Sequence, residues 1–169
     1  MGRDKALLPF HGGPLAGAVA RAVREAAGAV VVVGRPELLD YPTIPDLYPG
    51  EGPLGGILTA LAHSRAEWNL VVACDMPEVT SDFLSRLLDR AGDSGRAVLI
   101  PRGPSGRPEP LCAVYRASAR GPLEREFARG VRKVMAAVAG LDAGFWETPE
   151  MTHFQNVNTP EDWAGYAAE

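Results

Sequence analysis

The sequence predicts an α/β domain with a mostly parallel sheet, and three observations carry the prediction. Apolar runs of four or five residues recur at 29–33, 70–74, 97–100 and 111–115, too short for helices. They show no polar alternation, which is the pattern of strands covered on both faces and therefore of parallel sheets. Between several of them, apolar residues repeat at helical spacing, so strands and helices alternate along the chain.

The elements follow in order. Pro14 opens a helical pattern carrying Leu15, Val19, Val23 and Ala26 on one face, and Gly28 supplies its stop. Ala29-Val30-Val31-Val32-Val33 is the most β-branched run in the chain and reads as a strand buried on both faces. Leu54, Ile57, Leu58 and Leu61 make a second helix after a Gly/Pro-rich approach. Leu70-Val71-Val72-Ala73-Cys74 is a second buried strand, ended by Asp75 and by the turn that Met76-Pro77 imposes. Thr80 or Ser81 caps a third helix bearing Phe83, Leu84, Leu87 and Leu88. Two further strands, 97–100 and 111–115, flank a polar stretch from Arg102 to Pro108. Helical patterns follow around 123–127 and 131–138, and Thr159-Pro160-Glu161-Asp162 is a helix start.

Composition narrows the function. The 169 residues suit one domain, and no linker or repeat divides them. With 46% hydrophobic and 22% charged residues the chain is neither disordered nor fibrous. A formal net charge of −4 argues against nucleic-acid binding, which needs a basic surface to displace counterions. Cys74 and Cys112 sit in apolar runs as small hydrophobes, without the spacing of a zinc site or a disulfide framework. His11, His63 and His153 share no metal-ligand spacing and are read as non-catalytic. No stretch has transmembrane length and no secretory signal is present, so a cytoplasmic protein without membrane attachment is expected.

Open parallel sheets bind ligands beyond the carboxyl ends of their strands, which directs attention to the residues just after each run. Asp75 is the most informative. A carboxylate at a strand end suits Mg²⁺, which takes one or two carboxylates together with substrate phosphates; the competing use is a turn cap. Lys5, close behind Arg3, can neutralise phosphate charge, or simply stand in solvent. Gly50-Glu51-Gly52-Pro53-Leu54-Gly55-Gly56 runs into a helix, where backbone amides can hold an anion; it lacks the Gly-Lys-Ser/Thr of a P-loop, and a tight turn explains it equally well. Pro108 and Pro110 stiffen either the rim of a cleft or a plain strand entrance. Asn156 and Asn158 precede the last helix, where Asn commonly stabilises a turn.

In combination and in order, Met1-Gly2-Arg3-Asp4-Lys5-Ala6-Leu7-Leu8, Gly52-Pro53-Leu54-Gly55-Gly56, Cys74-Asp75-Met76-Pro77, Arg107-Pro108-Glu109-Pro110-Leu111 and Asn156-Val157-Asn158-Thr159-Pro160 resemble the molybdenum cofactor guanylyltransferase family over nearly the whole chain. The resemblance implies a Rossmann-like three-layer α/β/α fold of nucleotidyltransferase type, and transfer of GMP from GTP to molybdopterin with Mg²⁺ and release of pyrophosphate. It implies Lys5 as the phosphate-contacting lysine, assisted by Arg3. It makes Asp46 an aspartate of the nucleotide site and Asp75 the ligand of Mg²⁺ and nucleotide. Gly34 is left as a backbone contact to guanine, and Asn156 and Asn158 fall near the metal or the acceptor phosphate. Implied partners are GTP and the molybdopterin cofactor, with molybdopterin-handling proteins and molybdoenzyme chaperones beyond them. A related cytidylyl or sugar/polyol nucleotidyltransferase, and a catalytically impaired pterin- or nucleotide-binding protein, are the alternatives. The family pattern opens with an apolar strand and a Leu-x-Gly-Gly-x-Ser-x-Arg loop ahead of the lysine, so residues 1–169 are expected to be one N-terminally truncated domain. The missing strand is expected between the runs 29–33 and 70–74.

Overall fold

A computed structural model describes residues 6, 9–10, 13–34 and 40–150. A short antiparallel hairpin of β1 (Pro9–Phe10) and β2 (Gly13–Pro14) leads into α1 (Leu15–Ala27). Gly28 ends this helix at φ 76°, a left-handed turn in which a side chain would be strained. Then come β3 (Val32–Val33), β4 (Thr43–Ile44), α2 (Pro53–His63), β5 (Trp68–Val72), α3 (Ser81–Ser94), β6 (Val98–Arg102) and β7 (Cys112–Arg116). A short 3-10 turn at Ala117–Ala119 enters α4 (Arg120–Ala128), followed by α5 (Val134–Val138) and β8 (Ala143–Glu147). Thr80 accepts a hydrogen bond from the Phe83 amide, so of the two expected caps of α3 it is Thr80 that acts.

The main sheet has the strand order β5-β7-β6-β8. β6 and β8 pair in parallel, and β7 runs antiparallel to both of its neighbours, so β5, β6 and β8 share one direction and β7 alone opposes it. β3 and β4 form a separate parallel pair. Alternate residues of the central strands enter opposite layers. Val98, Ile100, Ala113 and Tyr115 pack with α2, α4 and α5 through Leu54, Ile57, Leu58, Leu123, Val134 and Val138. Leu99, Cys112 and Val114 pack on the other face with α1 and α3 through Val19, Phe83, Leu84 and Leu87. The result is the expected Rossmann-like arrangement of helix, sheet and helix layers.

Several local expectations are corrected. The run 29–33 is not a strand buried on both faces: only Val32 and Val33 pair, and Val31 is 40% exposed. The second run begins earlier and ends earlier, at Trp68–Val72, and its residues are half-buried, because β5 lies at the edge of its sheet. Cys74 accordingly is half-buried, whereas Cys112 is fully buried. The helix expected around 131–138 starts only at Val134. Strand β8 has no counterpart in the sequence reading: Gly144 interrupts its apolar pattern, and Phe145 and Trp146 alone did not flag it. The helix start at Thr159 lies outside the described residues.

Candidate active site

Asp75 stands three residues beyond the end of β5, in the turn that Pro77 completes. Its carboxylate has no hydrogen bond or ion pair among the described residues. Its negative charge is felt at the strand entrance of β7. Glu109 keeps only 12% of its side chain exposed and faces Arg107 at 3.4 Å. Its carboxyl is held above the ordinary glutamate range, first by burial and then by the negative charge of Asp75, with Arg107 pulling the other way. The same carboxylate, after burial itself, helps push the Cys112 thiol up to about 12, so that cysteine is an inert core group.

The position of Glu109 is built from below. Tyr115 is fully buried and donates its hydroxyl to the Pro110 carbonyl at 2.7 Å, while the Glu109 amide donates to the Pro101 carbonyl at 3.0 Å. These bonds pin the Arg107–Pro110 stretch across the ends of β6 and β7, so it is a rigid rim. Glu109 was missed as a functional candidate because a single Glu between prolines carries no motif; only the fold brings it to Asp75.

A second cluster forms beside α2. The Asp46 Oδ1 accepts from the Tyr48 amide and from the Thr59 hydroxyl, each at 2.9 Å. That hydroxyl also lies 3.0 Å from the Gly55 carbonyl and accepts from the Leu47 amide at 3.1 Å. Thr59 is buried within an apolar helix face, so the sequence offered no sign of its role. Gly34, at φ 79°, donates its amide to the Ile44 carbonyl, and a Cβ on it would lie 3.5 Å from the Asp46 Cβ. Gly34 and Asp46 therefore lie side by side. The approach to α2 passes through Gly50 and Gly52, both at positive φ, and the helix has Pro53 at its first turn and no side-chain cap. A Cβ on Gly55 would sit 2.9 Å from the Tyr48 Cβ, so that position admits glycine alone without a shift. From α5's side, Arg132 reaches across to Glu51 at 2.5 Å while covering the Phe127 ring, and so holds the glycine loop from outside. Arg132 is a further residue the sequence reading passed over, hidden in an unremarkable Val-Arg-Lys-Val.

Asp75 and the start of α2 border one cavity. Asp75, Val33, Pro53 and Gly56 line the same space of about 670 Å³. A carboxylate with no hydrogen bond or ion pair among the described residues and a helix start without a side-chain cap thus face one space where β5 ends. Among the described residues no three His, Cys, Asp or Glu side chains come together as a metal cage. That fits Mg²⁺, which keeps waters and takes substrate oxygens, and excludes an all-protein site within that part of the chain. Arg3, Lys5, Asn156 and Asn158 lie outside the described residues, as do His11 and His153.

The model of the family described as MobA-like NTP transferase domain matches residues 1–143. A probable molybdenum cofactor guanylyltransferase of Methanothermobacter thermautotrophicus is 40% identical over 124 residues, 69% of this chain, and the match spans 62% of that protein's own length. The molybdenum cofactor guanylyltransferase of Xanthomonas euvesicatoria is 35% identical over 171 residues, covering 97% of this chain and 86% of the relative. Among solved structures, the molybdopterin-guanine dinucleotide biosynthesis protein A of Archaeoglobus fulgidus superposes with a TM-score of 0.79 at 28% identity. That superposition covers 98% of this chain and 89% of the other.

Proposed function

Because the chain belongs to the MobA-like NTP transferase domain family, a family of nucleotidyltransferases, we propose that it transfers GMP from GTP to molybdopterin carrying its metal. The observation that supports this reading best is the Asp75 carboxylate, which has no hydrogen bond or ion pair among the described residues and borders the same cavity as the start of α2.

The chemistry asks little of a general base, since the attacking terminal phosphate of molybdopterin is already an anion. The bond formed joins that oxygen to the α-phosphorus of GTP, the bond broken releases pyrophosphate, and the protein's task is to align the partners and hold charge. Asp75, with Glu109 beside it, is the seat for Mg²⁺, which when bound offsets the charge of the reacting phosphates. The glycine approach to α2 admits the nucleotide backbone closely, while Thr59 and the Tyr48 amide fix the Asp46 carboxylate beside Gly34, the backbone contact assigned to guanine. Lys5 and Arg3 are the cations for the pyrophosphate side, and Asn156 and Asn158 serve the acceptor phosphate. Product passes to molybdopterin-handling proteins and molybdoenzyme chaperones in the cytoplasm. Among the described residues no helix is long and apolar enough to cross a membrane.

The test is a competition of GTP against CTP in the presence of Mg²⁺ and molybdenum-loaded molybdopterin, following pyrophosphate and the dinucleotide product. Guanylyl transfer is expected; preferential cytidylyl transfer, or GTP binding with no turnover, would overturn the reading.

A further inference from the structure

Arg102 ends β6 outside the cavity that Asp75 borders. Register with β8 sets it opposite Glu147 and sets Ile100 opposite Phe145. Alternation then carries Arg102, Phe145 and Glu147 on the sheet face where Val98 and Ile100 meet α2, α4 and α5. The guanidinium carbon of Arg102 stands 3.9 Å from the centre of the Phe145 ring, and Nη1 lies 3.3 Å from the Glu147 Oε1. Its Nε is sealed from solvent and has no hydrogen-bond partner among the described residues. An ion pair with Glu147, whose side chain is 66% exposed, returns less stability than a sealed, unmet donor costs. Stability alone therefore does not account for where this arginine is held.

What the three side chains present together is a recognition surface. The Glu147 carboxylate offers two acceptors, the guanidinium beside it offers donors, and Phe145, 42% exposed, offers apolar ring surface. The order is acceptor, acceptor, donor. Its complement is a flat ring edge of donor, donor, acceptor: the amino group, ring N–H and oxo oxygen of an aminopyrimidinone, an edge that pterins and guanine share. A phosphate fits worse, because Glu147 would face it with a like charge. The backbone beneath is fixed from both sides, since Arg102 bridges Pro108 and its carbonyl accepts from the Thr148 amide at 3.0 Å. Position favours the pterin. β5 and β6 run in one direction, so Arg102 and Asp75 lie at the same end of the sheet. With β7 between them, the ends of β5 and β6 stand about 10 Å apart. The fused rings of molybdopterin hold its terminal phosphate and its aminopyrimidinone edge a comparable distance apart, so a phosphate at Asp75 leaves that edge near Arg102. Gly34, the contact assigned to guanine, belongs instead with the separate β3-β4 pair.

We propose that Arg102, Glu147 and Phe145 form the subsite for the pterin ring of the acceptor. Glu147 accepts from the amino group and the ring N–H, Arg102 donates to the oxo oxygen, and Phe145 supports the ring. The inference rests on the reading of the acceptor as molybdopterin.

The experiment follows the fluorescence of hydroxymethylpterin on titration with the full chain. The matching lumazine, which carries an oxo group in place of the amino group, is the control ligand. Arg102→Met, Glu147→Gln and Phe145→Leu are titrated beside the parent, with thermal unfolding of each. The parent is expected to bind the pterin about tenfold or more tighter than the lumazine, since a carboxylate facing an oxo group loses a donor and meets repulsion. Glu147→Gln should erase that preference, Arg102→Met should weaken both ligands about tenfold, and Phe145→Leu should weaken both by less. GTP should not displace the pterin. Displacement by GTP, with GTP affinity falling in the same variants, would assign the edge to guanine and overturn the proposal. A parent that binds no pterin at millimolar concentration, or variants that bind it as the parent does, would overturn it as well. If Arg102→Met fails to fold, Glu147→Gln, whose side chain is mostly exposed, decides. Guanylyl transfer is measured on the same proteins. Transfer that persists while pterin binding ignores the variants removes the subsite and leaves the reaction; absent transfer with pterin binding that follows the variants supports the subsite and removes the reaction.

Discussion

β6 and β7 differ from β3 and β5 in burial far more than in composition. Val98, Leu99, Ile100 and the first four residues of β7 are buried, whereas Val32, Val33 and every residue of β5 are only half-buried. The run Ala29-Val30-Val31-Val32-Val33 is the more β-branched of the two sorts, yet it contributes two paired residues. What separates them is neighbours. β6 and β7 have a strand on both sides and a helix layer on both faces, while β3 and β5 each pair on one edge only among the described residues. The candidate site is built on the looser side: a closed, fully paired half gives rigidity, and the half with open edges supplies the space for ligands.

The largest effect expected from this contrast is on stability. Ile100→Ala should cost about 2–5 kcal/mol, as a cavity in a closed core does, whereas Val72→Ala should cost less than about 1 kcal/mol because its side chain is only half-buried. Denaturant unfolding of the two variants measures both, and equal costs would break the comparison. Asp75→Asn should act on turnover alone, lowering guanylyl transfer by about 10²-fold or more while leaving the thermal midpoint nearly unchanged, since the carboxylate has no hydrogen bond or ion pair to lose among the described residues. A folded variant with full activity would remove Asp75 from the site. Gly55→Ala drives a methyl into Tyr48 and should cost about 1–3 kcal/mol. It should also weaken nucleotide binding, read by titration calorimetry, because the glycine approach must shift with it.

The smallest effect concerns Glu109. Burial raises its folded-state pKa, so the stability it allows is present in full below the unfolded-state value and is lost as pH rises through the raised one. Glu109→Gln, which cannot ionise, should therefore unfold at a higher temperature than the parent at neutral pH and at the same temperature in acid. Thermal scans at the two pH values read the crossing, and a parent more stable than the variant at neutral pH would show that Arg107 outweighs the burial.

Local chemistry alone determined much of this protein. The helices at Leu15–Ala27, Pro53–His63 and Ser81–Ser94 were legible because apolar spacing, a Thr cap and a terminal glycine act within a few residues of one another. Asp75 stood out as a candidate too, an acid ending an apolar run before Met-Pro, with a turn cap as the competing use. The tertiary structure decided everything that depends on contact between distant segments. It set the antiparallel direction of β7, which a five-residue apolar run cannot encode, and recruited β8, whose pattern Gly144 breaks, through pairing with β6. It carried Glu109 to Asp75, Thr59 to Asp46 and Arg132 to Glu51. Finally, it left the most strand-like run half-open. An apolar sequence states only that a segment seeks cover; whether it finds a partner on both edges is settled by what the rest of the chain brings beside it.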